Sequence, residues 1–318
     1  MGYTLAIYRL SAYSIICKIA KQDSRRLKII WHSALGPITV IFLSSRKDYD
    51  IMVNRTRIIA DRKHAYDSAE CALDDADAAL ILYERKNYSR AIFHLQQCVE
   101  QACKSFAYGT GLADDKLIRN RINHTPSRVF SVIIEYFLNN STVYNKAIDS
   151  YNLLVKEKFP DKPELAQMWE DWENEFKEYH ADFRRLEEIK SYTSDEIRIA
   201  LDLLGQTTTG IDNGKTKLIE QLADKNEETK NNLNITMMYI DLMDSLIVLM
   251  ILAVLCQGHE SESRYPGKSS PRAIYTQDHP LIVHFQELHK YSVRAAENMK
   301  KTSWDILTFI KTDNKEKS

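Results

Sequence analysis

Arg119 and His124 stand five positions apart in the stretch RNRINHTPS, with Asn120 beside the arginine and Pro126 just after the histidine. An imidazole can take or give a proton near neutral pH, and a guanidinium fork can hold charge that develops on a phosphate. The spacing therefore poses a choice between the reactive end of an RNA-cutting site and a polar loop that closes one helix and opens the next. For His124 on its own the plain alternative is a capping or loop histidine. His94, His284 and His289 do not make the i,i+4 pair of a helical zinc site, so no metal centre is expected.

Two helices must carry that loop. From Asp61 the positions Ala65, Ala69, Ala72, Ala76, Leu80 and Tyr83 recur every three or four residues. The run from Tyr88 repeats the signal with Ala91, Leu95, Val99, Ala102 and Phe106. A stripe of alanine lets a neighbouring helix approach closely. Lys86 and Asn87 interrupt the pattern and Gly109 and Gly111 end it, which predicts an antiparallel hairpin. Pro126 suits the first turn of a third helix, PSRVFSVIIEYFL.

The remaining chain divides by pattern. Residues 1–51 mix short apolar runs with basic residues and keep no sustained period, so they form a poorly defined segment and Met52 is an alternative start. Residues 52–139 read as the first half of a helical bundle, 140–235 as an inserted helical stretch, 236–312 as the second half, and 313–318 as a tail. Within the insertion Leu165, Trp169, Trp172, Phe176, Tyr179, Phe183 and Leu186 alternate spacings of four and three, the seam of a coiled-coil-like helix. Thr193 and Glu196 have the form of a capping box that starts another helix. The glycine-containing run TTTGIDNGKTKLIEQLADKNEETKNN is expected to be a loop, a short helix and a linker, and its GKT has the wrong offset for a phosphate loop. From Pro280 onward Leu281, Phe285, Leu288, Ser292, Ala295 and Met299 return to helical spacing.

Composition narrows the class. The chain has 318 residues, of which 44% are apolar and 27% charged, with only 9 Gly and 7 Pro; this is the balance of an all-α protein. The formal net charge of -1 supplies no global field to draw the molecule onto nucleic acid, so any RNA contact has to be local. Five cysteines without CxxC spacing fit reduced thiols and a cytoplasmic location better than a disulfide frame or a zinc site. The opening stretch lacks a clear signal-peptide cleavage site, and Ala6 stands where myristoylation needs Ser or Thr. Residues 237–256 are apolar but contain Asp241 and Asp244, which predicts a buried bundle helix rather than a membrane span.

Four pieces, in this order, make the sequence similar to the HEPN family, the higher eukaryotes and prokaryotes nucleotide-binding domain. The helix from Tyr88 resembles the family's signature helix through Tyr88, Ala91, Gln96, Gln97, Glu100 and Lys104. Arg119, Asn120 and His124 resemble its Arg-x(4 to 6)-His motif with a polar residue after the arginine. Arg264, Tyr265 and Pro266 resemble the Arg-Tyr-Pro before the closing helix, and the last helix resembles that closing element. The likeness covers about residues 61–139 and 236–312. Nuclease members often have a tyrosine two places after the histidine, where Pro126 stands here, so an alignment to the histidine of non-nuclease members stays open.

The resemblance implies an all-α, HEPN-like up-down helical bundle with a long helical insertion. It also implies metal-independent RNA cleavage with no cofactor, in which His124 takes the ribose proton and Arg119 holds the charge on phosphorus. It further implies a homodimer, with RNA as ligand, and a role in defence or a toxin-antitoxin system beside a nucleotidyltransferase-like antitoxin. The alternative is a non-catalytic HEPN bundle that dimerises and binds a nucleotide, RNA or a protein. Lys104 reads as an i,i+4 ion pair with Glu100 or as a phosphate ligand. Arg264 reads as a loop anchor or as positive charge beside RNA.

Overall fold

The computed structural model describes residues 55–110, 115–122, 124–139, 191–222, 227–257 and 270–315, together with residues 177, 181, 184, 189, 259 and 263. The N-terminal segment, the aromatic seam and the Arg264-Tyr265-Pro266 motif lie outside the described residues. Among the described residues there are helices and turns and no strand.

Helix α1 (Arg55–Glu84) and helix α2 (Tyr88–Gly109) form the expected antiparallel hairpin. Between them Lys86 takes φ 57°, and the Lys86 and Asn87 amides donate to Tyr83 and Leu82 at 2.9 Å each. This is a Schellman closure with a lysine in the left-handed position that glycine usually takes. A short helix α3 (Asp115–Leu117) runs into a π-helical turn (Ile118–Ile122), and helix α4 (Arg128–Asn139) follows. Then come α5 (Ser194–Leu222), α6 (Glu227–Cys256), the single turns α7 (Pro271–Ile274) and α8 (Pro280–Val283), and the closing helix α9 (Phe285–Lys315).

Side-chain pairs give the directions. Tyr83 stacks on Phe285 at 4.2 Å, His289 reaches the Ala76 carbonyl, and Trp304 lies against Tyr66, so α9 runs antiparallel to α1. Asp241 meets Lys301 and Asp244 meets Asn298, which makes α6 antiparallel to α9. Ser194 meets His284 and Asp212 meets Arg294, so α5 runs alongside α9 in the same direction. The result is an all-α up-down bundle of α1, α2, α6 and α9, with α5 laid on α6 and tied to α9 by the Asp212–Arg294 pair.

The alanine stripe sets the spacing of the first pair. Ala65, Ala69, Ala72, Ala76 and Ala79 are fully buried, and Ser105 of α2 comes close enough to donate to the Ala65 carbonyl at 2.6 Å. A Cβ on Gly109 would sit 3.3 Å from the Met299 side chain, so that glycine admits α9 to the end of α2. The α6 helix is buried from Ser245 to Cys256, as its apolar run requires. No helix among the described residues is long and apolar enough to cross a membrane.

The expectation of a loop, a short helix and a linker over residues 207–232 is corrected over residues 207–222 by α5, which is one helix of 29 residues through Gly210 and Gly214. Each glycine costs about 1 kcal/mol relative to alanine in a helix interior. Tertiary pairing offsets this: Arg294 grips Asp212, and Lys215 binds Asp241. Gly205 has its own reason, since a Cβ there would lie 3.2 Å from the Tyr291 hydroxyl. At the start of α5 the capping box forms as expected, with Thr193 N donating to Glu196 at 2.9 Å and Glu196 N donating to Thr193 at 3.3 Å.

Two carboxylates of α6, Asp241 and Asp244, are buried against cations. Asp244 is fully buried and accepts from Arg294 Nε at 2.7 Å and Asn298 at 2.8 Å, while Asp241 accepts from Lys215 and Lys301. Burial pushes the Asp244 carboxyl up, and the Arg294 guanidinium pulls it back. Arg294→Ala leaves that carboxylate without its main partner and should cost about 3 kcal/mol in urea unfolding. Replacing both members together, Asp244→Leu with Arg294→Met, should restore most of the loss.

After α6, His259 is buried with Nδ1 2.7 Å from the Tyr275 hydroxyl, and His279 caps α8 by accepting from the Leu281 amide. Burial, with His279 nearby, lowers the His259 pKa to about 4. The folded chain therefore holds this imidazole neutral while the unfolded chain protonates it near its ordinary 6.5. Stability from this group is complete above about pH 6.5 and should fall by on the order of 3 kcal/mol as pH drops toward 4. Chemical unfolding at stepped pH should show that slope, and His259→Phe should flatten it.

Candidate functional site

The α2 helix presents Gln97, Glu100 and Lys104 on one face because they lie three and four residues apart. Glu100 is 1% exposed, and a carboxylate so placed requires partners. Its Oε1 accepts from Lys104 Nζ at 2.6 Å and lies 3.2 Å from His124 Nδ1, while Oε2 accepts from Gln97 Nε2 at 3.3 Å. Two polar groups of the same helix, Gln97 and Lys104, thus meet the loop histidine at one buried carboxylate.

The loop is held from both sides. Ile118 and Ile122 are buried and anchor the π-helical turn to the core. Thr125 N donates to the Ile122 carbonyl, and the amides of Arg128, Val129 and Phe130 donate back to Thr125, Pro126 and Ser127. Pro126 and Ser127 are buried, so the turn into α4 is fixed where His124 leaves it. The His124 side chain is 55% exposed beyond its contact with Glu100. A carboxylate on Nδ1 favours the tautomer with the proton there and leaves Nε2 as an acceptor toward solvent.

Arg119 and Asn120 sit on the π-helical turn and are exposed. Their side chains form no hydrogen bond or ion pair among the described residues, and none joins either of them to His124. Lys104 is 17% exposed with its ammonium on Glu100, which is the expected i,i+4 pair. Tyr88 packs its ring 5.7 Å from Tyr83 at the start of α2 and takes no part in the His124 cluster. The structure therefore brings together His124, Glu100, Lys104 and Gln97.

Around the loop the structure adds residues that motif reading passes over. Glu135 of α4 pairs with Arg121 of the π-helical turn and with Arg184 at 3.1 Å, and Arg128 reaches the Arg121 carbonyl. Their signal was available as charge: Lys116 to Asn139 contains Lys116, Arg119, Arg121 and Arg128 against Glu135 alone. On the opposite flank of the hairpin His94 Nδ1 pairs with Asp75 at 2.8 Å, tying α2 to α1.

Cysteine chemistry lies elsewhere. Cys98, Cys103 and Cys256 are buried thiols, and burial pushes Cys98 and Cys103 well up and Cys256 to about 12. They behave as small apolar groups at the α2–α6 contact. Among the described residues no group of three or more His, Cys, Asp and Glu side chains is arranged to hold a metal ion.

No curated protein and no solved structure matches the chain. A family model does match, over residues 65–118, and its description is HEPN domain. The matched stretch holds α1 from Ala65, all of α2 with Gln97, Glu100 and Lys104, and α3, and it stops one residue before Arg119. The hairpin on which this all-α up-down bundle is built is thus the part of the chain similar to a HEPN domain.

Proposed function

We propose that the chain is a metal-independent endoribonuclease whose proton-transfer group is His124. The observation that carries this reading is the engagement of His124 Nδ1 by a carboxylate that is itself buried and neutralised by Lys104. That arrangement orients an imidazole and leaves its other nitrogen open, as a general base requires. Lys104 on the same oxygen offsets the carboxylate charge.

In the reaction, His124 Nε2 takes the proton of a ribose 2'-hydroxyl as that oxygen attacks the adjacent phosphorus. The new P–O2' bond forms and the P–O5' bond breaks, giving a cyclic phosphate and a 5'-hydroxyl. The departing 5'-oxygen takes its proton from water or from a second imidazole. Arg119, exposed five positions before His124, supplies the guanidinium for the charge on the equatorial oxygens. Two copies in a homodimer would line one cleft with both loops. The same reading extends to a cytoplasmic toxin in a defence or toxin-antitoxin pair, with a nucleotidyltransferase-like antitoxin.

A second reading, a non-catalytic HEPN module that binds a nucleotide, RNA or protein, is favoured by one observation. No contact joins Arg119 to His124, so within one copy the two groups are not assembled on a common ligand.

Incubation of purified protein with RNA in excess chelator separates the readings. Cleavage should occur and should fall roughly 100-fold or more in Arg119→Ala and in His124→Ala. Glu100→Gln should lower kcat and alter the pH profile while the helical circular dichroism is retained. Absence of cleavage by the parent protein assigns the bundle to binding alone.

A further inference from the structure

We propose that Arg121 and Arg184, held on Glu135, form a second phosphate-binding subsite that grips the RNA backbone beside the His124 loop. This rests on the reading above in taking RNA as the ligand, and it gives the stretch between α4 and α5 a part in holding it.

Charge is the first argument. A molecule with net charge -1 concentrates four basic residues and a single acidic one between Lys116 and Asn139, and Arg184 adds a further cation from a distant part of the chain. One carboxylate between two guanidinium groups leaves the trio with a charge of +1. Arg128, bonded at 3.5 Å to the Arg121 carbonyl, places another cation beside it. Lys116, Arg119, Arg121, Arg128 and Arg184 set five cations against the one carboxylate of Glu135.

Exposure is the second. Arg121 and Arg184 are 50% and 60% exposed, whereas Glu135 is 20% exposed beneath them. Exposed ion pairs add little to stability, and gathering two cations on one carboxylate adds repulsion, so folding alone gives weak reason for the cluster. A carboxylate below two guanidinium groups does orient their forks, and each fork keeps further N–H donors free for non-bridging phosphate oxygens.

Position is the third. Ile118 and Ile122 bury the inner side of the π-helical turn, and Arg119 and Arg121 lie exposed between them. The turn therefore carries a candidate catalytic guanidinium and a subsite guanidinium two residues apart. Residues two apart on a helical turn face different sides, so the two guanidinium groups would meet different phosphates of one backbone rather than a single anion.

The test uses the full-length protein and a fluorescent single-stranded RNA oligonucleotide. Anisotropy should show several-fold weaker binding for Arg121→Ala and for Arg184→Ala. The slope of log affinity against log salt should shrink by about 0.7 for each phosphate that is no longer neutralised. Arg184→Lys should keep the slope and recover part of the affinity. Cleavage of the oligonucleotide should show a raised KM with kcat retained, while a dinucleotide, too short to reach the subsite, should be cut as by the parent. Thermal unfolding of the variants should match the parent.

Parent-like affinity and slope in both alanine variants would overturn the subsite even if cleavage is intact. Failure of the parent to bind RNA, with Arg184-dependent capture of an acidic peptide instead, would overturn it too. Salt-dependent binding that falls in the variants, in a protein that cuts nothing, would support the subsite and remove the nuclease reading.

Discussion

A carboxylate that is 1% exposed cannot stay unpaired, and Glu100 is the point at which this rule shapes the molecule. It lies on α2, the helix shared by the core and the tip, and its partners come from α2 itself and from the loop beyond the π-helical turn. The loop position of His124 is thereby coupled to a helix buried in the bundle. Any movement of the histidine away from α2 weakens the solvation of a charge with few other donors. The chemistry proposed for the loop and the packing of the hairpin share one ionic contact.

The bundle around it is assembled by two kinds of contact. Between α1 and α2 the fit is apolar and close, set by alanines and by the Ser105 hydroxyl on the Ala65 carbonyl. Between α5, α6 and α9 it is ionic, with Asp241, Asp244 and Asp212 matched by Lys215, Lys301 and Arg294. The apolar contact fixes separation, and the charged one fixes which helix faces which. Carboxylates that would be costly in a membrane are accommodated here because two neighbouring helices bring cations to them.

At the tip, electrostatics takes over from packing. The stretch from Lys116 to Asn139 is basic in a chain whose net charge is -1. A long-range field is not needed for such a patch to act, because phosphate contacts are made at hydrogen-bond range. The imidazole and the guanidinium groups are exposed there while the isoleucines between them are not. That division lets an anchored turn present its cations to solvent.

Much was legible in the residues themselves. The periodicity of Ala65 to Tyr83 and of Tyr88 to Phe106, the closure at Lys86, the Thr193–Glu196 box and the buried character of residues 245–256 are local properties, and each appears in place. The Glu100–Lys104 pair was legible for the same reason, since four residues on a helix make about one turn. The continuous α5 was not, because its glycines speak for a break and are overruled only by Arg294 and Asp241, which lie 82 and 26 residues from their partners Asp212 and Lys215. The meeting of His124 with Glu100 and of Arg184 with Glu135 could not be read either. Sequence by itself determined the helices of the α1–α2 hairpin, the start of α5 and the buried run of α6, since those follow from spacing within a few residues. Tertiary structure alone decided which charges share a site, because partners 24 and 49 residues apart are chosen by how helices pack and by the need of each buried carboxylate for a donor.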